Sequence, residues 1–185
     1  MDVRPTSIPD VLLIKPNVYE DARGFFKETY QEERYRKIGV NAHFVQDNYS
    51  RSQKGTLRGL HYQVEHAQGK LVQVFRGEIF DVAVDMRRTS PTFGKWTSAI
   101  LSERNHLQLY IPPGFAHGFY VLSELAEFSY KCSDYYFPEY ERTLLWNDAK
   151  LDIEWPITEG PLLSEKDQLG VPFAEAESYA AAGDE

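Results

Sequence analysis

Residues 70–84, KLVQVFRGEIFDVAV, alternate in character from one residue to the next. Leu71, Gln73 and Phe75 fall on one side and Val72 and Val74 on the other, because successive strand side chains point to opposite faces. Arg76-Gly77 interrupts the pattern, and Phe80, Val82 and Val84 then alternate with Asp81 and Ala83. Two such runs around a glycine predict a hairpin. The same alternation continues outward. Trp96, Ser98 and Ile100 set against Thr97, Ala99 and Leu101 predict one strand, and Leu107, Leu109 and Ile111 another. Segments 119–122 and 126–132 predict two more. Turn signals separate them at Ser90-Pro91, Glu103-Arg104-Asn105, Pro112-Pro113-Gly114 and Phe137-Pro138. Short strands at regular spacing predict an all-β fold, a sandwich or barrel. One helix is expected over Gln31–Ile38, stopped by Gly39.

Composition agrees. A chain of 185 residues suits one domain. With 42% hydrophobic and 26% charged residues it is neither disordered nor a helical membrane protein. Aromatic residues at 14% favour strands. A net charge of −8 argues against a nucleic-acid-binding surface, though a few placed cations can still hold a small anion. The lone Cys132 makes no internal disulfide, which points to the cytoplasm. The apolar run 11–14 is too short for a signal or a membrane span. Residues 1–170 read as a single domain. Residues 171–185, with the small acidic run AEAESYAAAGDE, read as a frayed tail or a short terminal helix.

Some predicted strands carry polar residues where a core would be. Gln46 and Asn48 share a face, as do His61 and Gln63. Such groups either line a ligand cavity or sit at a solvated sheet end. In Leu57-Arg58-Gly59-Leu60-His61, Arg58 and His61 lie among apolar residues, and each calls for an anionic partner. Two segments, LRGLHYQ at 57–63 and IPPGFAHGF at 111–119, resemble the two halves of a cupin motif, which supplies His-x-His and a later His to a metal. Here Gln63 replaces the second histidine, so a metal-free shell is expected, with His61 available as acid or base.

DARGFFKE (21–28), FVQDN (44–48), LRGLHYQ, QGKLVQV (68–74), GEIFDVAVD (77–85), IPPGFAHGF, YKCSDYY (130–136) and LSEKD (163–167), in this order, resemble the dTDP-4-dehydrorhamnose 3,5-epimerases. The resemblance spans about residues 8–168. It implies a cupin-type jelly roll, a homodimer, no cofactor and no metal. It also implies epimerisation of dTDP-4-dehydro-6-deoxy-D-glucose at C3 and C5, with single-carbon epimerases of related dTDP-ketosugars as near neighbours. By resemblance His61 is the base, Asp167 its orienting carboxylate, Tyr130 the acid and Lys70 the stabiliser of the enolate. Arg23 and Arg58 match diphosphate contacts. Glu28, Gln46 and Asn48 match contacts to the thymidine end, and Tyr136 matches the position that stacks on thymine. His117, Glu141 and Lys166 complete the implied pocket. The resemblance further implies that the segment of Arg23 and Glu28 serves the partner subunit.

Overall fold

The computed structural model of the chain describes residues 1–179. Thirteen strands form two antiparallel sheets and one ribbon. The strands are β1 (Asp2–Pro5), β2 (Leu12–Lys15), β3 (Val18–Asp21), β4 (Gly24–Lys27), β5 (Gln46–Gln53), β6 (Leu57–Gln63), β7 (Lys70–Arg76), β8 (Glu78–Asp85), β9 (Trp96–Ser102), β10 (Gln108–Ile111), β11 (Phe115–Val121), β12 (Leu125–Cys132) and β13 (Glu141–Thr143). One sheet has the order β1-β2-β10-β7-β12-β5 and the other β13-β6-β11-β8-β9; β3 and β4 form a separate hairpin. This is the all-β sandwich expected from the alternation, in the jelly-roll form that the resemblance implied. Among the described residues no helix is long and apolar enough to cross a membrane.

From β5 to β8 each strand crosses to the opposite sheet, and the hairpin expected between β7 and β8 does not form. β7 pairs with β10 and β12, whereas β8 pairs with β11 and β9. Arg76-Gly77 is therefore a corner between layers. Gly77 has φ +81°, and a Cβ there would lie 2.0 Å from the Leu125 carbonyl oxygen, so only glycine fits.

The sheets pack face to face, and each is partly covered on its outer face. Val72, Val74, Leu109, Ile111, Phe115, Phe119 and Phe128 pack between them. The outer face of the six-stranded sheet is covered by α1 (Glu32–Lys37), through Tyr35 on Leu71 and Tyr110. The Gln31 side chain caps this helix by accepting from the Arg34 N–H at 2.6 Å, which matches the expected helix start. The outer face of the five-stranded sheet carries Leu60, Tyr62, Val82 and Val84 under Leu144, Leu151 and Phe173.

That last contact corrects the expected tail from residue 171. Val171 bridges to Leu144, Phe173 is buried, and the Tyr62 hydroxyl donates to the Glu177 carbonyl at 2.6 Å. The Tyr179 hydroxyl donates to the Gln63 carbonyl. Two aromatic residues anchor a segment whose composition is otherwise small and acidic. The part of the expected tail or helix at 180–185 lies outside the described residues.

Candidate active site

Next to the inter-sheet core lies a cavity of about 350 Å³. Its walls come from facing sheets. β5, β7 and β12 contribute Gln46, Asn48, Ser50, Lys70, Phe128 and Tyr130; β6 and β11 contribute Arg58, His61, His117 and Phe119. Gln68, Tyr136, Glu141 and Lys166 complete the lining. A larger groove of about 860 Å³ lies beside β1–β3 and holds none of these residues.

His61 projects from β6 and is three-quarters buried. Its Nε2 lies 2.6 Å from Asp167 Oδ1. Asp167 sits in the short helix α2 (Glu165–Gln168), capped by Ser164. Its carboxylate also accepts from the Ser164 hydroxyl at 2.6 Å and from the Gly59 N–H at 3.2 Å. Burial by itself would raise the Asp167 pKa, but the hydrogen bonds from His61, Ser164 and Gly59 outweigh it and hold the carboxyl below its ordinary value. Asp167 is thus an anion. The proton between the pair belongs on Nε2, which leaves the Nδ1 lone pair free to accept another. Burial lowers the His61 pKa and Asp167 only partly offsets this, so the ring is neutral at neutral pH.

Tyr130 faces the cavity from β12, in register with Asn48. Burial raises its pKa to about 12. Lys70 is buried, and desolvation lowers its pKa. Among the described residues neither the Tyr130 hydroxyl nor the Lys70 ammonium has a hydrogen-bond or ion-pair partner. A buried cation left unpaired inside a cavity is costly unless a ligand answers it.

At the rim, Lys166 donates to Glu141 at 2.9 Å and the Tyr136 hydroxyl donates to the other Glu141 oxygen at 3.0 Å. Gln46 donates to Asn48 at 3.1 Å and accepts from the Tyr136 N–H at 3.2 Å. Arg58 is exposed rather than enclosed in a core, and its Nε donates to Ser52 at 3.1 Å. Of the polar residues on shared faces, Gln46, Asn48 and His61 line the cavity, but Gln63 does not. The Gln63 amide donates to the His66 and Tyr135 carbonyls and accepts from the Phe137 N–H, tying down the loop that carries Tyr136.

Arg23 and Glu28 lie outside this cavity. Arg23 is exposed on the β3–β4 hairpin and pairs with Asp21, and Glu28 pairs with Arg34 at 3.1 Å. Asp81 was missed in the sequence. It is fully buried, and both its oxygens lie 3.0 Å from His117 Nε2. Burial raises its pKa, with His117 and Lys70 pulling the other way. The available signal was an acid alone in the apolar run Ile79–Val84. Gly59 and Gly118 let β6 and β11 meet closely beside both histidines: a Cβ on Gly59 would lie 2.6 Å from Gly118 Cα.

The chain was compared with known proteins. The family model for dTDP-4-dehydrorhamnose 3,5-epimerase matches residues 5–175. The enzyme of that name from Pseudomonas aeruginosa is 56% identical over 94% of this chain and 96% of its own length. The one from Neisseria gonorrhoeae is also 56% identical, over 97% of this chain, which spans 55% of that protein. The structure of the Legionella pneumophila dTDP-6-deoxy-D-glucose-3,5-epimerase, solved with dTDP-4-keto-L-rhamnose, superposes with a TM-score of 0.93 at 52% identity, covering 95% of this chain and 94% of that one. With a matching family model over nearly all its length and relatives this similar, the chain belongs to the dTDP-4-dehydrorhamnose 3,5-epimerase family.

Proposed function

We propose that this chain is a cofactor-independent isomerase that inverts C3 and C5 of dTDP-4-dehydro-6-deoxy-D-glucose, giving dTDP-4-dehydro-L-rhamnose for dTDP-L-rhamnose synthesis. The observation that carries the reading is that His61, held by Asp167, and the Tyr130 hydroxyl, without a partner among the described residues, line one cavity from opposite sheets. The C4 ketone acidifies the neighbouring C–H bonds. Neutral His61 takes a proton, and the bonding pair moves into an enolate whose oxygen is matched by the Lys70 cation. Tyr130 then gives its proton to the opposite face of the carbon, and solvent restores both groups. Arg58 answers the diphosphate, and Gln46, Asn48 and Tyr136 receive the thymidine end. His117, Glu141 and Lys166 shape the sugar site. The test is incubation with the ketosugar in deuterium oxide. NMR should show deuterium entering, and configuration inverting, at both carbons. Exchange at one carbon only overturns the 3,5 assignment; no exchange overturns the reading.

The pH profile follows from two shifts. His61 is competent when neutral, and its pKa lies below the ordinary 6.5, so kcat/KM should fall on acidification only below that value. Lys70 is competent when charged, and its pKa lies below the ordinary 10.5, so the alkaline limb should begin below that value. A profile whose acid limb lies above 6.5 contradicts the assignment of a buried, neutral His61.

We further propose a cytoplasmic homodimer. Tyr19, Phe25 and Phe26 on the β3–β4 ribbon are 63%, 57% and 70% exposed, a concentration of aromatic surface suited to a second copy. Arg23 on the same ribbon, and Glu28 just beyond it, would then reach the cavity of the partner subunit. A single monomeric boundary in sedimentation velocity at micromolar concentration counts against this.

A further inference from the structure

Four residues of β5, namely Gln46, Asn48, Ser50 and Ser52, share one face because they lie two apart. Three have partners. Gln46 and Asn48 bond to each other, Asn48 also donates to Cys132 Sγ at 3.6 Å, and Ser52 accepts from Arg58. Ser50 has none. Its Oγ and His106 Nδ1 are the two side-chain polar atoms among the described residues that are sealed from solvent without a hydrogen bond. His106 packs on Phe25 beside the exposed hairpin, whereas Ser50 lines the cavity. An unpaired buried hydroxyl is a cost that a structural serine does not carry, because alanine would fill the place without it. A serine hydroxyl turns about one torsion among three staggered positions, so the oxygen can be brought to the cavity surface when a group there calls for it.

The position says which part of the ligand that is. Ser50 stands opposite Phe128, and the next pair on the same face, about 7 Å along, is Asn48 opposite Tyr130. Ser50, Phe128 and Tyr130 line the same cavity, so a hexose ring with a carbon at the Tyr130 hydroxyl has the Ser50 hydroxyl one strand step away.

Resting on the epimerase reading, we infer that Ser50 is a sugar-recognition residue, hydrogen-bonding an oxygen of the reacting hexopyranose. The test is Ser50→Ala, with KM and kcat measured on dTDP-4-dehydro-6-deoxy-D-glucose, Kd on dTDP alone, and Tm. The expected result is a KM raised about tenfold, the size of one neutral hydrogen bond, with kcat changed less. The dTDP affinity should not change, and Tm should be equal or higher, because an unpaired hydroxyl has been removed. An unchanged KM overturns the inference. Equal loss for dTDP overturns the assignment to the sugar, and a lowered Tm shows that the hydroxyl serves the fold instead. Ser50→Thr, which keeps the hydroxyl, should retain the affinity that alanine loses, and equal loss in both variants also counts against it. If the wild-type protein fails to turn over the ketosugar, the epimerase reading falls; if it turns over normally and only the Ser50 result is negative, this inference falls alone.

Discussion

His61→Asn is expected to abolish turnover and proton exchange together, by a factor of at least ~10²–10³, the usual contribution of a positioned base. Both inversions begin by breaking a C–H bond next to the ketone, and no later step proceeds without it. The variant should still fold. Asp167 would keep its bonds from the Ser164 hydroxyl and the Gly59 N–H, so removing the imidazole does not strand a bare buried carboxylate. Thermal unfolding and dTDP binding close to wild type are the controls. If deuterium still enters either carbon at near the wild-type rate, another group is the base. His117 is then the next candidate, since it lines the same cavity and is held by Asp81 as His61 is held by Asp167.

Period-two alternation identified the strands because successive strand side chains point to opposite faces, and the two faces meet different surroundings. It carried no information about which strands pair. β7 and β8 looked like a hairpin because pairing leaves the same pattern whether the neighbour is adjacent in sequence or brought in from elsewhere. The glycine at the break was read correctly as a sharp bend, but the bend leads between layers. Asp81 escaped notice for a related reason. On β8 the large apolar residues Val82 and Val84 point outward beneath Leu144, Leu151 and Phe173, while Asp81 points inward to His117. An alternation scan expects the large residues inside. The C-terminal segment misled for lack of pattern: Phe173 and Tyr179 each fill one place over the outer face that Leu144 and Leu151 also cover, and single anchors leave no periodicity.

For the site, local chemistry took the reading part of the way. Polar residues on shared strand faces left a ligand cavity and a solvated sheet end both open, and Gln46, Asn48 and His61 line a cavity. Pairing Asp167 with His61 spans 106 positions in sequence, and nothing in either segment alone requires it. That pairing came from resemblance, as did the roles of Tyr130 and Lys70. Only in three dimensions does each stand out physically, as an enclosed hydroxyl and an enclosed cation without partners among the described residues.

Tyr130→Phe should separate the two halves of the reaction. The substitution removes only a hydroxyl that has no protein partner among the described residues, so the unfolding free energy should stay within about 0.5 kcal/mol of wild type, as for changes that break no contact. His61 remains able to form the enolate. With a pKa of about 12 the buried phenol is fully protonated at neutral pH, and it donates because an enolate carbon is a far stronger base than phenolate. Without it, the proton, or deuteron, on His61 returns to the face from which it was taken. Deuterium should therefore still enter at least one carbon at a measurable rate, while inverted product falls by ~10²-fold or more, the scale of a lost general acid. The informative quantity is the ratio of exchange to inversion, which should rise sharply in Tyr130→Phe. In His61→Asn both terms vanish, so no such rise can occur. Should Tyr130→Phe suppress exchange as fully as His61→Asn does, the tyrosine acts before or during proton removal, and the division of labour between the two sheets fails. Should inversion persist unchanged, the acid lies elsewhere in the cavity, and water held at the Lys70 ammonium becomes the next donor to test.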